Sequence, residues 1–243
     1  MPSSESSPRV SIVIPMKNEE GNIVPLFAEI EGALSQHVPF EIIAVNDGSD
    51  DGTANILASQ QQSKSYVRVV MHRESCGKSA ALRTGIRASQ ALIIATLDGD
   101  GQNNPAFLPV MIEMLMNDPQ LGLVQAERKG RKDTAFKRWQ SRMANHIRTR
   151  LLKDKTMDTN CGMKVFRRDA YWELPYFDGL HRFMPALIRR CGLNVAGVEV
   201  VDRPRMSGIS KYGFFDRLWV GILDLFGVWW LIKRNPKMPD VVK

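Results

Sequence analysis

Residues 91–102 read ALIIATLDGDGQ, an apolar, partly β-branched run that stops abruptly in an acidic, glycine-spaced turn. The run has the length and composition of a buried strand, so the turn sets Asp98 and Asp100 at its carboxyl end. The same pattern recurs upstream in Val10–Pro15 (VSIVIP), Phe40–Asn46 (FEIIAVN) and Tyr66–Met71 (YVRVVM). Helix-like segments at Ile23–Ser35, Thr53–Gln62 and Lys78–Ser89 separate these runs, and Leu121–Glu127 reads as a further strand. Strands alternating with helices predict an α/β fold, a mostly parallel sheet covered on both faces. Ligands of such sheets bind at the carboxyl edge, where every one of these runs ends in polar residues.

The chain has 243 residues, 44% of them hydrophobic and 24% charged, which excludes a disordered or low-complexity protein. Three scattered cysteines form neither a disulfide framework nor a zinc pattern, and point to a reducing compartment. The opening MPSSESSPRV lacks the basic and apolar regions of a signal peptide. A net charge of +7 suits a polyanionic neighbour: nucleic acid, an anionic membrane or a phosphorylated substrate. Nucleic acid fits least, because stacking or base-reading clusters are not evident and the acidic loops would go unexplained.

Four loops carry chemistry. Asp98 and Asp100, one residue apart, can approach one hard divalent cation, Mg²⁺ or Mn²⁺, with Gln102 adding a neutral oxygen. Asn46-Asp47-Gly48-Ser49-Asp50-Asp51-Gly52-Thr53 reads as an Asx-rich turn with Thr53 capping the next helix, and its acidic groups also suit a base or ribose. Pro15-Met16-Lys17-Asn18-Glu19 ends the first strand. Gly77-Lys78-Ser79 imitates the end of a phosphate-binding Walker loop, yet His72 stands where that motif needs glycine. Gly77-Lys78 opening a helix can still offer a cation and N–H groups to a diphosphate.

After Glu127 the texture changes. Arg128–Lys155 is dense in Arg and Lys, with apolar Phe136, Trp139, Met143, Ile147 and Leu151 at helical spacing; it reads as a solvated amphipathic helix or as one facing phosphate or membrane. Met111, Met114 and Met116 read as core filling. In FFDRLWVGILDLFGVWWLIKRN (214–235), Asp216, Arg217 and Asp224 interrupt the apolar run, so it does not read as a spanning helix. Leu218, Ile222, Leu225 and Trp229 share a face, while the tryptophans beside Lys233 and Arg234 suit a membrane interface. Periodicity alone leaves lipid and protein equally open as its apolar partner.

Taken in order, SIVIPMKNEE, VNDGSDDGT, GKSAALRTG and TLDGDGQ resemble glycosyltransferase family 2, with its Rossmann-like GT-A nucleotide-sugar fold. SRMAN, MDTNCGMKVFRRDA and RPRMSGISKYGF narrow the resemblance to the dolichol-phosphate mannose synthase-like branch, over about Val10 to Phe214. It implies a flexible start (1–9), a GT-A domain (10–213) and an amphipathic, interfacial C-terminal segment (214–243).

The resemblance further implies an inverting, metal-dependent transfer of a sugar from GDP-mannose or a UDP-hexose to a membrane polyprenyl phosphate. Asp98, Gly99, Asp100 and Gln102 match the metal and diphosphate motif; Pro15, Glu19 and Asp47 match nucleotide contacts. Arg142 matches an arginine on the lipid phosphate, and Arg205, Ser210 and Lys211 lie in a late loop over donor and metal. The enzyme is then expected peripherally on the cytoplasmic face of a membrane, with a separate membrane protein that flips the product as a further partner.

Departures limit what carries over. Met157 and Cys161 stand where the branch's archetype has an Arg and a Ser, which implies a rebuilt phosphate site using Arg148, Arg150, Lys164 or Arg167. His181-Arg182 also differs from that archetype, so mannose specificity does not carry across. A family 2 enzyme acting on a saccharide hydroxyl is the competing reading; it needs a general base, for which Asp158 is the candidate.

Overall fold

The structure, a computed structural model, describes residues 7–128, 148–152, 156, 158, 161–201, 203 and 214–234. Strands β1 (Val10–Met16), β2 (Phe40–Asp47), β3 (Val67–His72), β4 (Ile93–Thr96) and β5 (Leu121–Arg128) form within a few residues of where their apolar runs predict them. Between them lie α1 (Ile23–Leu34), α2 (Thr53–Ser63), α3 (Lys78–Ala88) and α4 (Leu108–Asn117). Beyond follow β6 (Lys164–Arg167), α5 (Arg168–Trp172), α6 (Leu180–Arg190), β7 (Asn194–Val200) and α7 (Phe214–Lys233).

The seven strands make one sheet in the order β3-β2-β1-β4-β6-β5-β7. β1 pairs parallel with both β2 and β4, so the chain winds outward to β3 and then crosses back to β4 on the other side of β1. That reversal opens a crevice beyond the carboxyl ends of β1 and β4, the place where such sheets accept ligands. β6 runs antiparallel between β4 and β5.

Alternation along the strands divides the core. Ile12, Ile14, Ile42 and Ala44 pack with α1 and α4 on one face. Val13, Ile43, Val45, Ile94 and Phe166 pack with α3 and α6 on the other. On the α1/α4 face Met111 is fully buried, and Met114 and Met116 pack against the same cluster, as core filling requires.

Helix α3 lies tight on the sheet because residue 85 is glycine. A Cβ there would come within 2.4 Å of Val13 Cγ1 and 3.0 Å of Val45 Cγ2. Gly85→Ala is therefore expected to cost about 1–3 kcal/mol as α3 lifts away. The cost is read as a lower urea midpoint with an unchanged slope; an unmoved midpoint would refute the close packing.

Candidate active site

The loops after β1 and β2 are laced together. Asn18 N–H donates to Ser49 Oγ at 3.0 Å, and Asp50 N–H donates to Asn18 Oδ1 at 3.0 Å. Thr53 does not cap α2 as its sequence position suggests. Its hydroxyl instead accepts the Glu19 N–H at 2.9 Å, while Asp51 Oδ1 accepts the Thr53 N–H at 2.9 Å. The Asx turn thus frees the threonine to bind the β1 loop.

Asp47 organises the neighbouring loop. Its carboxylate accepts from His72 Nδ1 (2.8 Å), Cys76 N–H (2.8 Å), Ser75 Oγ (2.9 Å) and Gly77 N–H (3.0 Å). Burial pushes its pKa up, but these four donors outweigh burial and hold it below the usual carboxylate range. Gly48 allows the approach: at φ 63°, any Cβ would stand 2.6 Å from the Glu74 and Ser75 backbone. With both oxygens engaged, Asp47 fixes Gly77 and so the start of α3, one residue before Lys78.

Lys78 carries that order to the β4 loop, where its ammonium contacts Asp98 Oδ1. Asp98 N–H is held by Asn103 Oδ1 at 3.1 Å, and Asp100 Oδ1 accepts the Gln102 N–H at 3.2 Å. A Cβ on Gly99 would lie 3.2 Å from Pro15 O and 3.3 Å from Glu19 Cγ, so the ends of β1 and β4 touch. The structure therefore brings Pro15, Glu19, Lys78, Asp98, Gly99, Asp100 and Gln102 to one crevice, with Asp47 behind it. Burial raises the Asp98 pKa, but the Lys78 ammonium, with Lys164, pulls it below the ordinary value. Asp98 is ionised, and its oxygens, with Asp100 and Gln102, form a hard donor set that fits Mg²⁺ or Mn²⁺.

Sequence reading had placed Lys164 only among several phosphate candidates. β6 pairs with β4 so that Lys164 stands opposite Thr96, two residues before Asp98. Lys164 is buried and donates to Cys161 O. Burial lowers its pKa to about 8, with the Lys78 charge adding to the effect.

His181, at the start of α6, closes the group. Its Nδ1 lies 2.8 Å from Ser79 Oγ, which accepts the Gly179 N–H at 2.9 Å. Burial, then Lys78 and Lys164, hold its pKa well below the usual value, so the imidazole is neutral. These groups rim a narrow pocket between α3, β4, β6 and α6, floored by Leu82, Phe166, Leu180 and Met184.

Other candidates are spent elsewhere. Arg167 donates to Leu121 O (2.9 Å), Leu115 O (3.0 Å) and Asp118 O (3.1 Å), tying α4 to β5. Arg148 is buried and donates to Thr156 O, while Arg150 is exposed. Asp158 is held by Arg128 in a two-point pair of 2.5 and 2.9 Å. Arg142, Met157, Arg205, Ser210 and Lys211 lie outside the described residues, whereas Arg203 is described. That residue donates to Glu29 Oε1 at 2.8 Å and through its backbone N–H to Gln102 O at 3.2 Å.

Helix α7 has two apolar faces rather than one. Leu225, Val228, Trp229 and Ile232 pack onto the α6 side of the core. Arg182 clasps Asp224 at 2.6 Å, and Arg190 donates to Leu231 O at 3.0 Å. Leu223, Phe226 and Trp230 stand 70%, 57% and 54% exposed on the other side. Ile222, expected to share a face with Leu225 and Trp229, is itself partly exposed, and Leu218 is outside the described side chains. Among the described residues no helix is long and apolar enough to cross a membrane.

Residues 11–175 match the family model described as Glycosyl transferase family 2. The dodecaprenyl-phosphate galacturonate synthase of Rhizobium johnstonii is 32% identical over 233 residues, covering 94% of this chain and 68% of its own. The undecaprenyl-phosphate 4-deoxy-4-formamido-L-arabinose transferase of Pseudomonas fluorescens is 33% identical over 208 residues, covering 84% of this chain. The present chain spans only 60% of that relative's length. Among solved structures, glucosyl-3-phosphoglycerate synthase from Mycobacterium tuberculosis, in complex with Mn²⁺, UDP and glucosyl-3-phosphoglycerate, shares the fold. It has a TM-score of 0.71 over 95% of this chain and 81% of its own, at 19% identity.

Proposed function

The chain belongs to glycosyl transferase family 2, and on that footing we propose that it moves a sugar from a nucleotide diphosphate to a polyprenyl phosphate, with inversion at C1. The observation that carries this reading is the meeting of Asp98, Asp100, Gln102 and Lys78 at the β1/β4 crevice of a chain whose relatives bear polyprenyl-phosphate transferase names. Asp98, Asp100 and Gln102 would hold Mg²⁺ or Mn²⁺. When bound, the cation supplies charge neutralisation and Lewis acidity for the departing diphosphate. Lys78, already against Asp98, stands where leaving-group charge would develop, and the family resemblance adds Arg205, Ser210 and Lys211 to that role.

The nucleophile is an oxygen of the acceptor phosphate, received by Arg142. A phosphate monoester has its second pKa near ~6 and is largely ionised at neutral pH, so it attacks without a general base. A saccharide hydroxyl would need one. Asp158, the candidate for that role, is committed to Arg128, which favours the phosphate acceptor.

The acceptor's chain stays in the bilayer, so the protein works at the membrane surface, with the open face of α7 and the basic 128–155 stretch as its contacts. Phe226→Glu with Trp230→Glu is expected to weaken binding to anionic vesicles by about tenfold or more, since each buried side chain contributes roughly 1.5–3 kcal/mol. Both residues are exposed, so the thermal transition should stay in place. Unchanged sedimentation with vesicles would refute this docking face.

The deciding experiment supplies protein, Mg²⁺ or Mn²⁺ and a short polyprenyl phosphate with labelled GDP- and UDP-sugars. An organic-extractable, mild-acid-labile glycolipid is the expected product. Consumption of donor only with a saccharide acceptor would transfer the assignment to hydroxyl chemistry.

A further inference from the structure

The pocket beside Asp98 offers donors and few acceptors. The Thr96 hydroxyl is spent on Gly162 O at 2.7 Å. Ser79 Oγ accepts the Gly179 N–H and lies 2.8 Å from His181 Nδ1; with the serine proton assigned to Nδ1, the imidazole proton is on Nε2. Lys78 and Lys164 are ammonium groups with three protons each and no lone pair. Two cations, one paired with Asp98 and one bonded to Cys161 O, therefore stand with His181 and Tyr171 around a space floored by Leu82, Phe166 and Met184. A group that only accepts hydrogen bonds and carries negative charge matches such a rim; a neutral hydroxymethyl does not.

Position selects the source of that anion. Lys78 joins the pocket to Asp98, the carboxylate assigned to the diphosphate in the reading above. With the diphosphate at Asp98, as in the reading above, a displacement with inversion brings the acceptor phosphate to the side of C1 opposite the diphosphate. The donor sugar, hanging from the diphosphate, is what can reach in. The pocket is narrow and suits a substituent of the ring rather than the ring itself.

We propose that this pocket receives the carboxylate of an acidic donor sugar, a hexuronate, with Lys164 as its counter-charge and His181 Nε2 as a hydrogen-bond donor. The assignment rests on the transferase reading above and names its substrate class. Lys164 is here a specificity residue, fixed by β-sheet register rather than by a flexible loop.

The test uses donor pairs that differ only at C6: UDP-galacturonate with UDP-galactose, UDP-glucuronate with UDP-glucose, and GDP-mannuronate with GDP-mannose. One uronate should exceed its neutral partner by about 10- to 100-fold in kcat/KM, the value of a charged hydrogen bond. Lys164→Met should erase that preference and leave the KM for polyprenyl phosphate unchanged. His181→Phe, which removes a donor but no charge, should reduce the preference partially and serves where the lysine variant fails to fold. Calorimetric binding of each donor pair without acceptor should show the same order.

Preference for a neutral member would overturn the acidic-sugar assignment while the polyprenyl-phosphate reading stands. So would a Lys164→Met variant that raises the acceptor KM with donor preference intact, which would make this the phosphate site. Tighter calorimetric binding of a uronate with no lipid product from any donor would support the pocket and refute the acceptor.

Discussion

Asp100→Ala should fold like its parent and transfer sugar about a thousandfold more slowly, the cost of removing one preorganised electrostatic group from a transition state. Asp100 is the better test of the metal site than Asp98. Asp98 is also the ion-pair partner of Lys78, so its loss would strand a charge and confuse stability with catalysis. The Asp100 carboxylate accepts the Gln102 N–H, a bond of about 1 kcal/mol that the loop can give up. Single-turnover transfer, thermal unfolding and Mn²⁺ affinity together decide the matter. Parental turnover at saturating donor would remove Asp100 from the metal set.

The second large effect comes from a single methyl group. A Cβ on Gly162 would sit 2.3 Å from the Asp98 Cγ and 2.3–2.4 Å from its two oxygens. The atoms it meets are the end of a side chain that can swing away, so Gly162→Ala should fold. The carboxylate, however, must leave Lys78 and the cation site. Transfer is expected to fall about a hundredfold, as for the loss of one oriented catalytic group, with weaker Mn²⁺ binding and a transition temperature within a few degrees of the parent. A variant that binds Mn²⁺ normally and turns over normally would show that Asp98 does not work in the place described.

β1, β2 and β4 were legible because they are buried almost throughout, and such burial writes continuous β-branched runs into the chain; β3, a partly buried edge strand, was marked by its valines. Lys164–Arg167 carries no such mark: four residues with a charge at each end read as surface, although their backbone fills the gap between β4 and β5. Asn194–Val200 is an edge strand of mixed exposure and is equally quiet. The acidic turns were legible as a set, but not their division of labour. Asp47 looked like a ligand contact, and its hydrogen-bond donors His72, Ser75, Cys76 and Gly77 lie 25–30 residues away in sequence. The Lys164 and His181 side of the pocket was hidden for the same reason, because register across β4 and β6 creates it. Helix α7 showed its apolar character plainly, while the choice of which stripe packs inward depends on the Arg182–Asp224 clasp.

Among the described strands β6 alone runs antiparallel, which has a consequence for how the molecule is made. During synthesis β1, β2, β3 and β4 are complete by residue 96 and need only one another to pair. β5 emerges next with neither of its neighbours in existence, since β6 begins at Lys164 and β7 at Asn194. The nascent chain thus carries a finished parallel half and an apolar strand waiting for partners, an interval in which an unpaired edge invites association with other chains. The β1/β4 crevice is thus made first, and Lys164 and His181 reach the pocket beside it only when β6 and α6 arrive.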